Sequence, residues 1–409
     1  MAIGALKGWT STQKHVVAAS YLGWTLDAFD FLLLTLVAKD VAAEFKTPAT
    51  AVGWALLFTL AARPIGAFIF GRLADRYGRR PILQIDILLY SALAFASAFS
   101  PNIVVFLILR GLFGVAMGGE WGIGSSLTME HIKPESRGFV SGLLQTGYPT
   151  GSLIAAAVAA ILLPEFGWRV CVMASALPAL LVLYIRRNVP ESPSWKSGAV
   201  KRGNTLAVVR SHWVLALFAI AMMAGFNSFS HGTQDFYPNF LRIQLGFTPR
   251  LASVLVMIGA LGAITGGLVF GSLSERIGRR RAITISALLF LPVVPLWVYY
   301  SIDPIFLAAS MFACQFFVQG AWGVIPAHLN ELSPADARGT FPGFVYQVGN
   351  FLASGIGLLQ TTLVEGKGWH YADALAAVGV GAAIVIVIFV NLGPEAKGVS
   401  MEGASLPAD

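Results

Sequence analysis

The chain has 409 residues, of which 56% are hydrophobic and only 12% are charged, with a mean hydropathy of +0.71. Soluble domains are about 45–50% apolar and about 25% charged, so this composition excludes an ordinary soluble protein and predicts a polytopic membrane protein. The net charge of +7 would suit a nucleic-acid partner, but we assign the basic residues to membrane topology and expect no nucleic acid to bind.

Twelve apolar runs follow one another along the chain, each close to the roughly 20 residues that a helix needs to cross about 30 Å of hydrocarbon. We number the corresponding helices segments 1 to 12, and they cover residues 15–38, 50–70, 81–100, 103–128, 138–163, 168–187, 212–239, 250–273, 282–301, 304–330, 339–364 and 370–392. Connections on one side of the membrane carry seventeen Lys and Arg residues, against six on the other. The positive-inside rule therefore predicts that both termini lie in the cytoplasm, and we expect the protein to reside in the plasma (inner) membrane.

A glycine-rich basic loop follows segment 2 and recurs 200 residues later, after segment 8. The two copies read Gly71-Arg-Leu-Ala-Asp75-Arg-Tyr-Gly78-Arg-Arg80 and Gly271-Ser-Leu-Ser-Glu275-Arg-Ile-Gly278-Arg-Arg280. Gly119-Glu-Trp-Gly122 in segment 4 likewise matches Gly320-Ala-Trp-Gly323 in segment 10. We predict an all-α fold of two pseudo-symmetric six-helix bundles, 1–188 and 211–409, joined by a cytoplasmic linker at 189–210. Such a repeat places a substrate site near the membrane midplane, between the halves.

The repeated loops also predict a conformational latch. Their acidic and arginine side chains can form a charge network that must break when the two halves rock, whereas the alternative interpretation is a passive membrane anchor. The same position in both halves favours the latch. Its predicted members are Gly71, Asp75, Arg76, Gly78, Arg79, Glu130, Arg137, Glu275, Arg276, Glu331 and Arg338.

Arg63 lies within segment 2, well inside the hydrocarbon. It precedes Gly71 by eight residues, which is about 12 Å of helix at about 1.5 Å per residue. A guanidinium matches a carboxylate in shape and charge, so Arg63 is a candidate clamp for an anionic substrate. The alternative is a structural ion pair with Asp27 or Asp30.

Asp27 and Asp30 are three residues apart in segment 1, so both can line one side of the helix. Two neighbouring carboxylates raise each other's proton affinity, as a proton carrier requires. Arg110 in segment 4 is the natural switchable partner, although a static buried salt bridge is the alternative. Glu120, which the repeat replaces with Ala321, is a further proton-coupling candidate. We expect Asp86, only five residues past Pro81, to lie near the membrane surface and to be structural.

Segment 7 carries the richest polar stripe, Asn227-Ser-Phe-Ser230-His231-Gly-Thr233-Gln234-Asp235. His231 and Asp235 are i and i+4 neighbours, so each can tune the protonation of the other, while a hydrogen bond that only fixes the helix is the alternative. So many polar groups in one span favour a substrate or proton site. The predicted substrate-binding residues are Arg63, Gln145, Tyr148, Asn227, His231, Gln234, Tyr346, Gln347 and Asn350; the predicted proton-coupling residues are Asp27, Asp30, Arg110, Glu120 and Asp235.

The repeated loops and the twelve-helix plan resemble the major facilitator superfamily. Pro190-Glu-Ser-Pro-Ser-Trp195 is similar to its sugar-porter and sialate:proton symporter branches, and the stripe of segment 7 resembles the signature of the fungal lactate permeases. Pro342-Gly-Phe-Val-Tyr346-Gln347-Val-Gly-Asn350 resembles their eleventh helix. The resemblance implies that Asp30 and Arg110 form a proton couple like that of the sugar porters, and that Arg63 recognises substrate.

The leading hypothesis is therefore a proton-coupled symporter of small monocarboxylates such as lactate or pyruvate. A sialic acid, a sugar or an aromatic acid is the alternative cargo, and a nutrient sensor of the same fold is a third possibility. We expect a monomer whose partners are a carboxylate, a proton and the lipid bilayer. The sequence contains no nucleotide-binding loop, nucleophile elbow or cysteine-histidine metal spacing, so we expect no enzymatic activity, cofactor or metal. Cys171 and Cys314 lie in opposite halves as small core residues.

Overall fold

The computed structural model of the chain describes residues 8–197, 205–300 and 303–401, and within these ranges all regular structure is helical. The predicted linker at 189–210 falls partly outside them, since residues 198–204, with Lys201, Arg202 and Gly203, are not described. Short helices at Pro193–Lys196 and Thr205–Ser211 flank that gap.

The first three segments are single helices, Ser11–Glu44, Ala49–Tyr77 and Arg79–Ser97. Segment 1 is longer than its apolar run because Thr10 and Gln13 form a capping box ahead of it, at 3.2 and 3.0 Å. Segments 2 and 3 meet at Gly78, whose φ of 110° favours glycine and turns the chain between two helices without a spacer.

Segments 4 to 6 are interrupted by glycine and proline. Segment 4 comprises Ile103–Met117 and Glu120–His131, segment 5 begins with Arg137–Gln145, and Gly147–Met173 continues it into segment 6, which ends with Pro178–Asn188. Gly167 sits in the middle of Gly147–Met173 with a φ of 74°, so the backbone reverses there and one apparent helix supplies parts of two crossings.

The second half follows the same plan. Segments 7 to 9 comprise Trp213–Gln234 with Tyr237–Asn239 and a π turn at Phe240–Gln244, then Pro249–Ile277, then Arg279–Phe290 with Val293–Val298. Segments 10 to 12 comprise Pro304–Trp322 with Ile325–Leu332, then Phe341–Ala353 with Ile356–Thr361 and a π turn at Thr362–Gly366, then Tyr371–Leu392.

Eight helical stretches of the described residues are long and apolar enough to cross a membrane, and one of them, Pro134–Asn188, is the 55-residue stretch that turns at Gly167. Segments 3, 9 and 11 lie outside these eight. Segment 3 begins with two arginines, and the other two are broken into shorter helices. The architecture is thus a twelve-helix membrane bundle, as predicted.

The two halves meet through segments 2 and 11 and through segments 5 and 8. Glycine brings these helices into backbone contact: a Cβ on Gly71 would lie 2.6 Å from the Cα of Thr340, and one on Gly142 would lie 2.3 Å from the carbonyl oxygen of Gly267. We call the end of the molecule that carries the Gly78 and Gly278 loops the basic end. The close contacts lie towards it, so the bundle is tightly closed there.

Candidate functional site

A central chamber lies between the two halves. Segments 1, 2, 5, 7, 10 and 11 all contribute to its wall. It is lined by Trp24, Phe31, Leu60, Arg63, Gln145, Tyr148, Asn227, Ser230, His231, Gln234, Asp235, Gln319, Trp322, Tyr346 and Asn350. Of the nine predicted substrate-binding residues, only Gln347 is absent from this lining.

Arg63 brings the positive charge to the chamber wall. Its Nη2 lies 3.3 Å from Oδ1 of Asp27 and 2.8 Å from Sδ of Met117, and its guanidinium stacks over the ring of Phe31 at 5.0 Å. The Nε group has no hydrogen-bond partner among the described residues. Asp27 therefore satisfies only part of this cation, and the chamber holds a guanidinium with hydrogen-bonding capacity to spare.

Segment 7 forms the facing wall. Nδ1 of His231 lies 3.0 Å from Oδ2 of Asp235, and Nε2 lies 3.3 Å from Oδ1 of Asn350 on segment 11. The side chains of His231 and Asp235 are 29% and 52% exposed, so this part of the chamber is open to solvent. Asn227 donates to the carbonyl of Met223 at 2.8 Å, which orients its amide at the wall.

Two glutamines of segment 10 belong to the polar wall, although sequence analysis did not single them out. Gln319 donates to Oγ of Ser230 at 3.0 Å, and Oε1 of Gln315 accepts from Gln234 at 2.8 Å. They are an i and i+4 pair in an apolar helix, which is the signal that identified the stripe of segment 7. The same reasoning applied to segment 10 predicts both.

Aromatic rings close the chamber towards the basic end. Trp121 and Tyr346 are 4.5 Å apart between ring centroids, Trp24 packs on Tyr148 at 5.6 Å, and Trp322 packs on Tyr346 at 5.8 Å. We call these five residues the aromatic floor. The indole of Trp121 donates to Oε1 of Gln145 at 3.2 Å, so the amide of Gln145 is engaged with the floor.

The predicted proton couple is not in ion-pair contact. Arg110 and Asp30 both lie in the described part of the chain, where they interact electrostatically but form no ion pair. Instead, the guanidinium of Arg110 lies 4.8 Å from the ring centroid of Phe113 and 5.4 Å from that of Phe106. It is Asp27 that pairs with an arginine, Arg63, as the structural alternative in our sequence analysis proposed.

Gln347 and Glu120 are buried beside the chamber without lining it. Neither atom of the Gln347 amide has a hydrogen-bond partner in the described structure. Glu120 instead borders a smaller cavity on the other side of Trp24 and Trp121. Asp86 is fully buried within the bundle.

The first copy of the repeated loop is joined to the opposite half. Asp75 accepts from the backbone N–H of Gly339 at 2.7 Å and from Oγ1 of Thr340 at 2.6 Å. Arg79 lies 3.2 Å from Asp75 and 3.3 Å from Glu130. Burial of these charges in one hydrogen-bonded network makes the contact between the halves depend on all of its members.

The second copy repeats this arrangement with its own partners. Arg279 lies 2.9 Å from Glu331 and 3.5 Å from Glu275, and the backbone N–H of Gly138 donates to Glu275. Two longer pairs cross between the halves, Arg137 with Glu331 at 3.8 Å and Arg338 with Glu130 at 3.9 Å. The remaining predicted arginines, Arg76 and Arg276, are exposed and form no ion pair within the described ranges.

The two ends of the chamber differ in accessibility. Charges and glycine contacts close the basic end, while His231 and Asp235 remain accessible from the chamber. The chamber wall presents the Arg63 guanidinium, several amides and a floor of aromatic rings. Opening towards the basic end requires the network around Asp75 and Glu275 to separate.

Comparison with known proteins places the chain in a family. The Major Facilitator Superfamily matches residues 16–357 and 236–406. The sialic acid transporter NanX of Escherichia coli is 28% identical over 394 residues, covering 95% of this chain and 94% of NanX. A carboxylic acid transporter protein homolog of Saccharomyces cerevisiae is 28% identical over 393 residues, covering 89% of this chain and 63% of the yeast protein. The structure of the proton:xylose symporter XylE bound to 6-bromo-6-deoxy-D-glucose superimposes with a TM-score of 0.75 at 21% identity, covering 96% of this chain and 98% of XylE. The chain belongs to the Major Facilitator Superfamily.

Proposed function

We propose that this transporter carries a small monocarboxylate, such as lactate or pyruvate, together with a proton by rocker-switch alternating access. The observation that carries the proposal is Arg63, the cation of the chamber wall, whose Nε has no partner in the described structure and whose carboxylate partner Asp27 is 3.3 Å away. A carboxylate that enters the chamber can satisfy the free edge of this guanidinium.

Substrate binding to Arg63 also frees the carboxylate of Asp27 from its ion pair. A substrate carboxylate on Arg63 competes with Asp27, and an unpaired carboxylate in a buried site is costly unless it takes up a proton. Binding of the anion and binding of H⁺ in the amino-terminal half then favour each other, and the loaded protein crosses the cycle without a change in net charge. Asp27, Asp30 with Arg110, Glu120, and the pair of His231 and Asp235 are the candidate proton-binding groups.

The other polar residues of the wall select the substrate. Asn227, His231 and Asn350 line the same chamber as Arg63, and their amide and imidazole groups can hydrogen-bond to a hydroxyl or keto oxygen next to the carboxylate. Gln145, Tyr148, Gln234 and Tyr346 border the same space. The stripe of segment 7 resembles the signature of the fungal lactate permeases, and the similarity to the yeast carboxylic acid transporter homolog supports a carboxylate as cargo.

The loop network would serve as the latch of the cycle. In this proposal the bundles 1–188 and 211–409 rock about the linker at 189–210, and the contacts of Asp75 and Glu275 hold the basic end closed. Placing the basic end in the cytoplasm, with both termini, makes the present conformation outward-facing in the plasma (inner) membrane. A monomer suffices, because the chamber is built from one chain.

A bulkier acid is the second candidate, and the aromatic floor is the observation that favours it. Trp24, Trp322 and Tyr346 line the same chamber as Arg63, and a ring-shaped acid offers a flat face that can stack on them. The similarity to the sialic acid transporter NanX agrees with a larger cargo. A ligand panel measured by thermal shift of the purified protein separates lactate and pyruvate from sialic, sugar and aromatic acids.

The test is uptake of radiolabelled lactate into proteoliposomes with an imposed pH gradient, acid outside. We expect accumulation in the wild type and its loss in Arg63→Gln. The matched control is Arg169→Gln, which removes an arginine whose ion pair with Glu44 is surface-exposed and remote from the chamber. Uptake that ignores the pH gradient, or an Arg63→Gln variant that transports like Arg169→Gln, would contradict the proposal.

A further inference from the structure

Three buried polar residues of the amino-terminal half have no role in the chamber or the latch. Asp86 and Tyr90, one turn apart on segment 3, are 0% exposed, and Glu120 on segment 4 is 1% exposed. Both carboxylate oxygens of Asp86, the hydroxyl of Tyr90 and Oε2 of Glu120 are without hydrogen-bond partners in the described part of the chain. Buried polar groups are normally paired, so three unpaired groups together require an explanation. We call these residues the buried trio.

The carboxyl-terminal half shows that the fold does not require a polar trio. At the repeat positions stand Ser286, Phe290 and Ala321, two of them apolar and the third a hydroxyl that donates to the carbonyl of Phe317 at 2.7 Å.

The packing at the two sites is the same. Oδ1 of Asp86 lies 3.1 Å from the Cβ position of Gly119, and Oγ of Ser286 lies 2.7 Å from that of Gly320, with a phenylalanine, Phe70 or Phe270, beside each glycine. The acidic groups and the phenol are therefore additions to a helix junction that packs without them.

The charges around Asp86 leave it without a cation. Segment 1 presents Asp27 and Asp30, segment 4 presents Glu120 and Arg110, and segment 2 presents Arg63. Arg63 pairs with Asp27, and Arg110 acts on Asp30, beside which segment 6 contributes the neutral Ser175. Four carboxyl groups thus face two guanidinium groups.

The excess of acids points to a bound proton. An uncompensated carboxylate in a buried site is costly, so Asp86 and Glu120 require a neutralising proton or cation. Within the described residues, no three acidic, His or Cys side chains converge closely enough to hold a metal ion. A proton needs only one carboxylate oxygen, and a phenol hydroxyl such as that of Tyr90 can donate to the carboxylate that remains when the proton leaves.

The small cavity gives this group an exit separate from the substrate chamber. It is lined by Ser20, Trp24, Glu120, Trp121, Gly124, Ser125 and Leu144. Ser20 and Ser125 lie further towards the basic end than Trp24 and Trp121, so the cavity begins where the aromatic floor ends. Its free space suffices for about one water molecule, which the polar atoms of Glu120 and the serines can hold.

We propose that the buried trio is the proton-holding site of the transport cycle, loaded from the chamber by way of Asp27 and emptied through the small cavity towards the basic end. The inference rests on the proposed function. On loading, one H⁺ adds to a carboxylate oxygen of Asp86 or Glu120 and its charge falls from −1 to zero. On release, the same O–H bond breaks and a water molecule in the cavity takes the proton as hydronium.

The test compares two measurements on Asp86→Asn in proteoliposomes. Counterflow of radiolabelled lactate at equal pH needs substrate binding and rocking only, whereas accumulation against a lactate gradient needs the proton. We expect counterflow within about twofold of the wild type and accumulation reduced by about tenfold or more. Ser286→Ala, the change at the repeat position, should leave both measurements unchanged.

Four outcomes decide between the proposals. A wild type that fails in both assays overturns the proposed function, and this inference with it. If the wild type succeeds in both assays and Asp86→Asn also accumulates lactate normally, only the inference is overturned. The inference alone is also overturned if a correctly folded Asp86→Asn loses counterflow and accumulation equally. If Asp86→Asn does not fold, Tyr90→Phe replaces it, because Phe290 shows that the site accepts the ring. We expect Tyr90→Phe to shift the pH profile of uptake, and an unchanged profile would refute the role of the trio.

Discussion

Removal of the Arg63 guanidinium separates its two proposed roles, as partner of Asp27 and as clamp for substrate. Arg63→Gln deletes the charge but keeps a polar side chain, and it leaves Asp27 buried without its cation. The atoms of the pair are 3.3 Å apart, which corresponds to an attraction of about 5 kcal/mol at an effective dielectric constant of about 20. Breaking a buried pair from one side costs about 3–5 kcal/mol, so the two figures agree.

The double variant Arg63→Gln with Asp27→Asn removes both charges and leaves two amides that can hydrogen-bond to each other. We expect it to recover all but about 1–2 kcal/mol of the stability lost in the single variant, because no uncompensated charge remains. Lactate uptake should stay absent in both, since neither protein has a cation in the chamber wall. Stability is measured by thermal unfolding in detergent and transport by uptake into proteoliposomes.

Two results would refute this reasoning. If the single variant is as stable as the wild type, the ion pair between Arg63 and Asp27 does not contribute to the free energy of unfolding. If the double variant regains lactate uptake, Arg63 is needed only to neutralise Asp27 and is not the substrate clamp.

Three further predictions concern the latch, the glycine contact between the two halves and the segment 7 wall. Asp75→Asn weakens charge-assisted hydrogen bonds to the opposite half by about 2 kcal/mol, which favours opening of the basic end about thirtyfold; a cysteine introduced at the buried Ser141 should then be alkylated faster, and an unchanged rate argues against a latch. Gly122→Ala places a methyl group 2.6 Å from the Cα of Gly343 in the opposite half, whereas Gly381→Ala meets nothing within 4 Å. Only the former should lower uptake, by about tenfold, and equal activity of the two variants would show that the halves never close this tightly. His231→Gln loses the contact with Asp235 and should raise the apparent KM for lactate about fivefold. An unaltered KM would show that His231 does not contribute to lactate binding.

The features that could be predicted from sequence are those set by local spacing or by repetition. Asp75 and Glu275 occur at the same place in two copies of one loop, and both bind backbone N–H groups of the opposite half. The i and i+4 spacing of His231 and Asp235 likewise fixes their contact at 3.0 Å. Contacts of this kind are set within one helix or by one repeated loop, so the spacing of residues along the sequence is sufficient to predict them.

The features that could not be predicted depend on how whole helices are rotated and matched. Counting residues from Gly71 gives the depth of Arg63 in the membrane but does not tell which carboxylate the arginine contacts. In the structure Arg63 pairs with Asp27, whereas Arg110 lies over aromatic rings and forms no ion pair with Asp30 in the described residues. Trp24 and Trp322 read as ordinary packing residues because an aromatic side chain in an apolar helix has no distinguishing spacing. Asp86 lies near the start of its helix, yet it is fully buried because Gly119 of segment 4 leaves room for its carboxylate.

The most direct test of coupled transport is to measure luminal pH while lactate enters the vesicle. Proteoliposomes that contain a trapped pH-sensitive dye receive lactate outside at equal pH, and protein-free liposomes correct for passive entry of lactic acid. Our account predicts luminal acidification in proportion to the lactate taken up, lost in Arg63→Gln. Entry of lactate through the wild-type protein without acidification would contradict it.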